Sequence, residues 1–366
     1  MEKVKARVIA MYLPQYHSIP ENDAVWGKGF TEWTNVAQAR PLFRGHYQPK
    51  IPADLGFYNL LMPEIREQQA QMAKEAGIEG FMYWHYWFGN GKMLLQRPFE
   101  EVLGSKKPDY PFCLGWANHS WMTKTWKKGR AFQKNPMIME QTYPGKQDVI
   151  DHFYYCLPAF KDPRYIRVDD KPIFTVFAPK DMPDVKLFIS TWQILAREAG
   201  LKGIHFVGLR DGMLTIDDVK EMGFDAINNR DMLRAEMKLD HFRYWTSFKY
   251  KIRKYGFPMR YNYGKLMEIL LTDDDKRIDT YPTILSGYDR TPRAGKDTVI
   301  YDHYTPSTFQ SHVRKTLEYV KDKPFDNRIV FLKSWNEWGE GNYMEPDIKY
   351  GHAFLDALKE ELIISE

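Results

Sequence analysis

Apolar positions along the chain fall into short unbroken runs, separated by stretches with helical spacing. The runs are Val8–Tyr12, Gly80–Trp84, Phe112–Trp116, Ile173–Phe177, Ile204–Gly208, Ala226–Asn228, Thr283–Ser286 and Ile329–Lys333. Continuous apolar runs of this length are the pattern of parallel strands buried on both faces. Between them, Met62–Ala76 carries Ile65, Gln69 and Met72 or Ala73 at helical spacing, and Leu187–Ala199 and Ser307–Val320 read as further helices. Gly77 and Gly200 follow two of these segments as C-caps, and helix, glycine, strand is the second half of a βαβ unit. Eight such strands predict an α/β fold: one (β/α)8 TIM barrel over residues 1–366. A doubly wound open sheet is the alternative. Against it, no G-x-G-x-x-G follows the first strand and no phosphate-binding P-loop appears. Two stretches break the alternation and are expected to be βα-loop insertions. Residues 26–58 are rich in glycine, proline and aromatics, and residues 230–265 are basic and aromatic, with Arg243, Lys249, Lys251, Arg253, Lys254 and Arg260.

Composition narrows the function. The 366 residues carry a formal net charge of only +4, and 15% are aromatic. That balance gives no global footprint for a nucleic-acid partner, and the aromatic content excludes disorder. No apolar run approaches the roughly 20 residues of a membrane-spanning helix. Cys113 and Cys156 are too few for a disulfide framework and are expected to be reduced core thiols. At the N-terminus Lys3, Lys5 and Arg7 precede the apolar run Val8–Leu13, which is too short for a signal peptide, so a cytoplasmic location is expected.

Barrel active sites sit at the C-terminal ends of the strands. Those ends are unusually rich in aromatic and polar residues: Tyr12 and His17 after strand one; Trp84, His85 and Trp87 after strand two; Trp116 and Asn118 after strand three; Asp289 after strand seven; Trp335 and Asn336 after strand eight. Trp33 lies in the first long loop. Sugar rings stack their C–H faces on aromatic planes, and their hydroxyls need amide, imidazole and carboxylate partners, so this grouping suits a glycan site. Ordinary packing is the alternative for any one aromatic. Directly after strand eight, Trp335-Asn336-Glu337-Trp338-Gly339-Glu340-Gly341 places two carboxylates three residues apart. Glycosyl transfer needs one carboxyl to protonate the leaving oxygen and a second as nucleophile or base. Flanking indoles are expected to raise the pKa of one of the pair. A capped loop with two solvated acids fits the same spacing. Asp273-Asp274-Asp275 contains a D-x-D pattern but reads as a solvated turn. His17, His85 and His119 could converge at the barrel mouth, but none has a second ligand at helical spacing. They are read as hydrogen-bonding groups, with no metal and no cofactor implied.

These residues bring a family into view. The chain resembles the WbsX family of polysaccharide and O-antigen biosynthesis proteins, often labelled glycosyltransferases, from about Ala6 to Leu358. The landmarks are the segments Tyr12–His17, Trp26–Val36, Gly45–Pro49, Tyr83–Phe88, Trp116–Asn118, Thr291–Arg293 and Trp335–Gly341. Two departures are His119-Ser120-Trp121 and Tyr288 before Asp289. The family is in turn similar to glycoside hydrolase family 99, endo-α-mannosidases built as (β/α)8 barrels with an Asn-Glu-Trp-x-Glu-Gly motif. The resemblance implies Glu337 as the base that deprotonates the sugar 2-hydroxyl, Glu340 as acid and then base, and Tyr12 as an active-site tyrosine. The histidine of that motif is Gly339 in this chain.

Three functions stay open on the sequence: a retaining endo-acting glycoside hydrolase on an α-linked glycan, a glycosyltransferase of cell-surface polysaccharide assembly, and a non-catalytic glycan-binding barrel. Each takes an oligosaccharide or polysaccharide partner. The basic segment 230–265 fits a solvated helix, or a patch for an anionic ligand, an anionic membrane surface or a partner.

Overall fold

A computed structural model describes residues 3–122, 137–210, 214–240, 258–296 and 298–364. Eight parallel strands form a closed barrel: β1 Arg7–Tyr12, β2 Gly80–Trp87, β3 Phe112–Trp116, β4 Lys171–Val176, β5 His205–Arg210, β6 Ala226–Asn229, β7 Thr280–Leu285 and β8 Ile329–Lys333. Each strand pairs with the next in the chain, and β1 pairs with both β2 and β8. Ile9 therefore lies opposite Gly80 on one side and Phe331 on the other. The eight apolar runs are these eight strands. β2 continues past the expected Trp84, and β7 starts before the expected Thr283 by taking in Pro282. A proline donates no ladder hydrogen bond, which is why the pattern marks β7 only after it.

The three expected helices are present as Pro63–Glu75, Val185–Glu198 and Pro306–Val320. Gly77 (φ +81°) and Gly200 (φ +84°) adopt the left-handed conformation that ends the first two. Helix Val185–Glu198 begins where the Asp184 carboxylate accepts from the Leu187 N–H. It buries Phe188, Trp192 and Ala196, spaced four apart, against the barrel, with Trp192 4.6 Å from Phe174 of β4. Cys113 and Cys156 are free and buried. No helix among the described residues is long and apolar enough to cross a membrane.

The stretch 26–58 lies in the β1–β2 connection and is not all loop, because it holds helix Glu32–Ala37. In the stretch 230–265, residues 241–257, with Arg243, Lys249, Lys251, Arg253 and Lys254, lie outside the described residues. The described flanks are packed, which corrects the expectation of a solvated helix. Strand Met259–Asn262 pairs in parallel with Val299–Asp302, and Met259, Tyr263, Leu266 and Met267 join Ala235 in a second core. Arg260 pairs with Asp302 and lies over Phe43. The D-x-D turn is also not wholly solvated: Asp275 is buried and accepts from Asn229 Nδ2 at 2.9 Å.

Candidate active site

After β8 the chain turns at once into a hairpin, Asn336–Glu337 against Asn342–Tyr343. Its tip is a single 3-10 turn, Trp338–Glu340, closed by the Gly341 N–H donating to the Trp338 carbonyl at 3.0 Å, with Gly341 at φ +65°. The hairpin is fixed from behind. Trp338 stacks on Tyr343 with ring centroids 3.8 Å apart, and its indole N–H donates to Glu345. The Asn336 amide bridges both backbone polar groups of Leu13, at 2.8 and 3.1 Å. This anchoring puts Glu337 and Glu340 on the wall of one cavity of about 570 Å³, lined by residues that follow the barrel strands.

Arg293 organises the acids. Its Nη1 donates to Glu337 Oε1 at 3.0 Å and to Glu340 Oε1 at 2.7 Å. Its Nε and Nη2 bind the two oxygens of Glu32 at 2.9 and 3.2 Å. Lys333 Nζ lies 3.2 Å from Glu340 Oε2, and Arg290 Nε lies 3.0 Å from Glu340 Oε1. Ser334 Oγ donates to Glu337 Oε2 at 3.2 Å. Burial raises the proton affinity of Glu340, but Lys333, Arg293 and Arg290 outweigh it and hold the carboxyl well below the usual range. The expectation that flanking indoles raise one of the pair is therefore not met at Glu340, where three cations prevail. The raised acid beside them is Glu32: burial, with help from Glu337 and Glu340, lifts it to about 7 against the pull of Arg293. Gly339 is the position that admits it. A Cβ there would lie 1.5 Å from Glu32 Oε1 and 2.9 Å from Arg293 Nε.

Strand parity sorts the other expected residues. Side chains two apart on a strand share a face. Trp84 lines the cavity with Tyr86, whereas His85 and Trp87 face the helices. His85 Nε2 lies 2.8 Å from His152 Nε2, and His152 stacks on Trp87 with centroids 4.7 Å apart. His85, His152 and Cys156 form a grouping whose ligand atoms lie within 4.8 Å of one another and could hold a metal ion. It is fully buried in an aromatic layer, where burial lowers His85 to about 3. Of the three histidines that could have converged at the mouth, His119 alone lines the cavity; His17 is buried and lowered by burial to about 4.

The remaining candidates do not line this cavity, and each is buried. Tyr12 Oη donates to Gln69 of helix Pro63–Glu75. Trp33 donates to the Tyr58 carbonyl and packs on Trp338. Trp116 donates to the Trp87 carbonyl. Asn118 exchanges hydrogen bonds with both backbone groups of Ala178, tying the ends of β3 and β4 together. Asp289 accepts from His46, Gln48 and Thr291. Trp335 is fully buried against Phe81. The groups that do line the cavity and were not named as site residues include Gln15, Tyr86, Arg230, Arg290, Arg293 and Lys333, with Tyr288, noted only as a departure from the family pattern. Lys333 carried a readable signal, a lysine closing the apolar run of β8.

Behind the hairpin, Glu345 accepts from Trp338, Gln69 and Tyr58, yet burial dominates and raises it to about 7. The folded protein therefore binds this proton more tightly than the unfolded chain. Its contribution is fully present below the unfolded value of about 4.5 and is lost as pH rises to about 7. Urea unfolding between pH 4.5 and 7.5 is expected to show this decline, and Glu345→Gln to flatten it. An unchanged slope in the variant would assign the decline elsewhere.

The family described as "Glycosyltransferase WbsX" matches residues 8–358. Two proteins of Xanthomonas campestris pv. campestris, both called "Uncharacterized protein WxcX", are 32% identical over 369 residues, covering 99% of this chain and 50% of theirs. The chain thus spans about half the length of the curated relatives it matches. Among solved structures, a "Glycoside hydrolase-like protein" superposes with a TM-score of 0.64 at 14% identity, covering 100% of this chain and 96% of that one. The GH99 endo-alpha-mannosidase from Bacteroides thetaiotaomicron superposes with a TM-score of 0.55 at 16% identity, covering 93% and 88%. At such identities the likeness is one of fold.

Proposed function

The chain belongs to the WbsX family, and we propose that it is a carbohydrate-active enzyme that cleaves an α-linked glycan internally, with retention, using Glu337 and Glu340. The observation that carries this reading is one guanidinium nitrogen holding both carboxylates on the wall of a cavity that also presents Trp84, Tyr86 and Tyr288. The aromatic faces take sugar C–H surfaces, and the acids face the scissile bond. Glu337 removes the 2-hydroxyl proton as that oxygen closes on C1, and Glu340 protonates the leaving oxygen. Water then attacks C1 and gives its proton to Glu340, while the 2-oxygen regains its proton from Glu337. A cytoplasmic site of action is part of the same proposal.

Acting as an acid requires Glu340 to hold a proton, and three cations oppose that in the unliganded site. Substrate entry is taken to draw the half-buried Arg290 away. Lys333→Met removes a second cation, so the carboxyl pKa rises. The alkaline limb of the kcat/KM profile is expected to move to higher pH, and an unmoved limb would remove Glu340 from the acid role.

The transferase reading is favoured by one feature: Arg230, Arg290, Arg293 and Lys333 all line the cavity, a charge set suited to a phosphorylated donor. Thermal shift separates the two. Stabilisation by α-linked oligosaccharides alone supports the hydrolase, and stabilisation by nucleotide-sugars alone supports the transferase.

A further inference from the structure

A second cavity, of about 370 Å³, lies beside the first, and Tyr288 lines both. Lys50 lines it and is only 9% exposed. Its ammonium lies 5.3 Å from the Tyr343 ring centroid, and no carboxylate of the described residues comes within ion-pair distance. Asp289 and Asp347 line the same cavity and attract Lys50 from beyond that distance, but their oxygens already accept from other donors. Asp289 accepts from His46, Gln48 and Thr291, and Asp347 accepts from Tyr343 Oη at 2.6 Å and the Tyr350 N–H at 2.7 Å. Tyr304 lines the same cavity. Its ring stacks on Phe354 with centroids 4.4 Å apart, and its hydroxyl is buried without a hydrogen-bond partner.

A largely buried cation without a paired carboxylate is costly, and one in the wall of a cavity points to a ligand that supplies the acceptor. The rim adds to the charge. Arg44 and Lys349 are exposed and have no carboxylate partner among the described residues, and Lys349 lies over the Tyr47 and Tyr350 rings at 4.7 and 4.6 Å. Cations beside tyrosine planes suit a ring that carries a negative group.

We infer that this cavity is a second saccharide site that takes an anionic sugar unit, its carboxylate or phosphate accepting from Lys50 Nζ, with Arg44 and Lys349 at the rim and its ring lying on the tyrosine faces. The sugar in this inference rests on the glycan-directed reading above; the preference for an anion rests on Lys50 and the rim cations Arg44 and Lys349.

Calorimetric titration of the full chain with glucuronate, glucose, glucose 6-phosphate and inorganic phosphate tests it. Glucuronate or glucose 6-phosphate, whichever anionic group the site prefers, is expected to bind at least about tenfold more tightly than glucose. Lys50→Met should abolish that preference, and Lys349→Ala, at the exposed rim, should weaken binding several-fold. Glu337→Gln, in the first cavity, should leave it unchanged, so a failure of the hydrolase reading is distinguishable. Equal affinity for glucose, no binding of either anionic sugar, or loss of binding in Glu337→Gln would overturn the inference. Inorganic phosphate binding as tightly as the sugars would overturn its saccharide part. If Lys50→Met does not fold, unchanged affinity in Lys349→Ala has the same force.

Discussion

Gly339→Ala is expected to lower the stability of the folded protein by about 3–5 kcal/mol, the cost of breaking a buried ion pair from one side. The backbone at 339 is not left-handed, so the conformation itself accepts an L-residue. The obstacle is space. The new methyl would sit 1.5 Å from Glu32 Oε1, and Glu32 is fully buried with both oxygens on Arg293. The carboxylate must swing away from its buried place, leaving Arg293 half-paired. Gly104→Ala is the control: it lies in helix Arg97–Ser105, nothing approaches its Cβ within 4 Å, and the change should stabilise by roughly 0.5–1 kcal/mol. Chemical unfolding of both variants decides. A Gly339→Ala protein as stable as the parent would mean that Glu32 has somewhere else to go.

Arg293→Met is expected to be more damaging still at neutral pH. It leaves Glu32, Glu337 and Glu340 facing one another without the guanidinium that touches all three. Removing one partner of a buried pair costs about 3–5 kcal/mol. Here the remaining acids also repel, so their pKa values in the folded state rise. Groups raised on folding lose their contribution as pH increases, so the deficit of the variant should be smaller at pH 5 than at pH 8. Adding Glu32→Gln should recover part of it at pH 8. A deficit that is the same at both pH values, with no recovery, would show that Arg293 serves packing alone.

The barrel was legible because burial on both faces leaves a strand little choice but to be apolar, and Gly77 and Gly200 mark two helix ends by chemistry that only glycine performs without strain. The positions of Glu337 and Glu340 were legible for the same reason, since Ile329–Lys333 is unmistakable and the acids follow at once. The substrate-facing side chains were much less so. Aromatic content at strand ends marks the mouth of the barrel but not which way a ring points. Parity around Trp84 separates Tyr86, in the cavity, from His85 and Trp87, against the helix layer. The Arg293 cluster was beyond pattern reading, because Glu32, Arg293 and Glu340 lie on three distant segments and meet only through the closed barrel. The fate of Glu340 followed from that. Burial and indoles are visible in the sequence, but the cations that outweigh them are not.

The central claim is that Glu337 and Glu340 act together on a glycosidic bond. Its most direct measurement is product analysis by proton NMR after incubating the full chain with a panel of reducing-end-labelled α-linked oligosaccharides, beside Glu337→Gln and Glu340→Gln. The account predicts internal cleavage with retention at the anomeric carbon by the parent, and loss of at least about a hundredfold in either variant, with both variants still folded. Cleavage that survives both substitutions, or that inverts the anomeric centre, would contradict it.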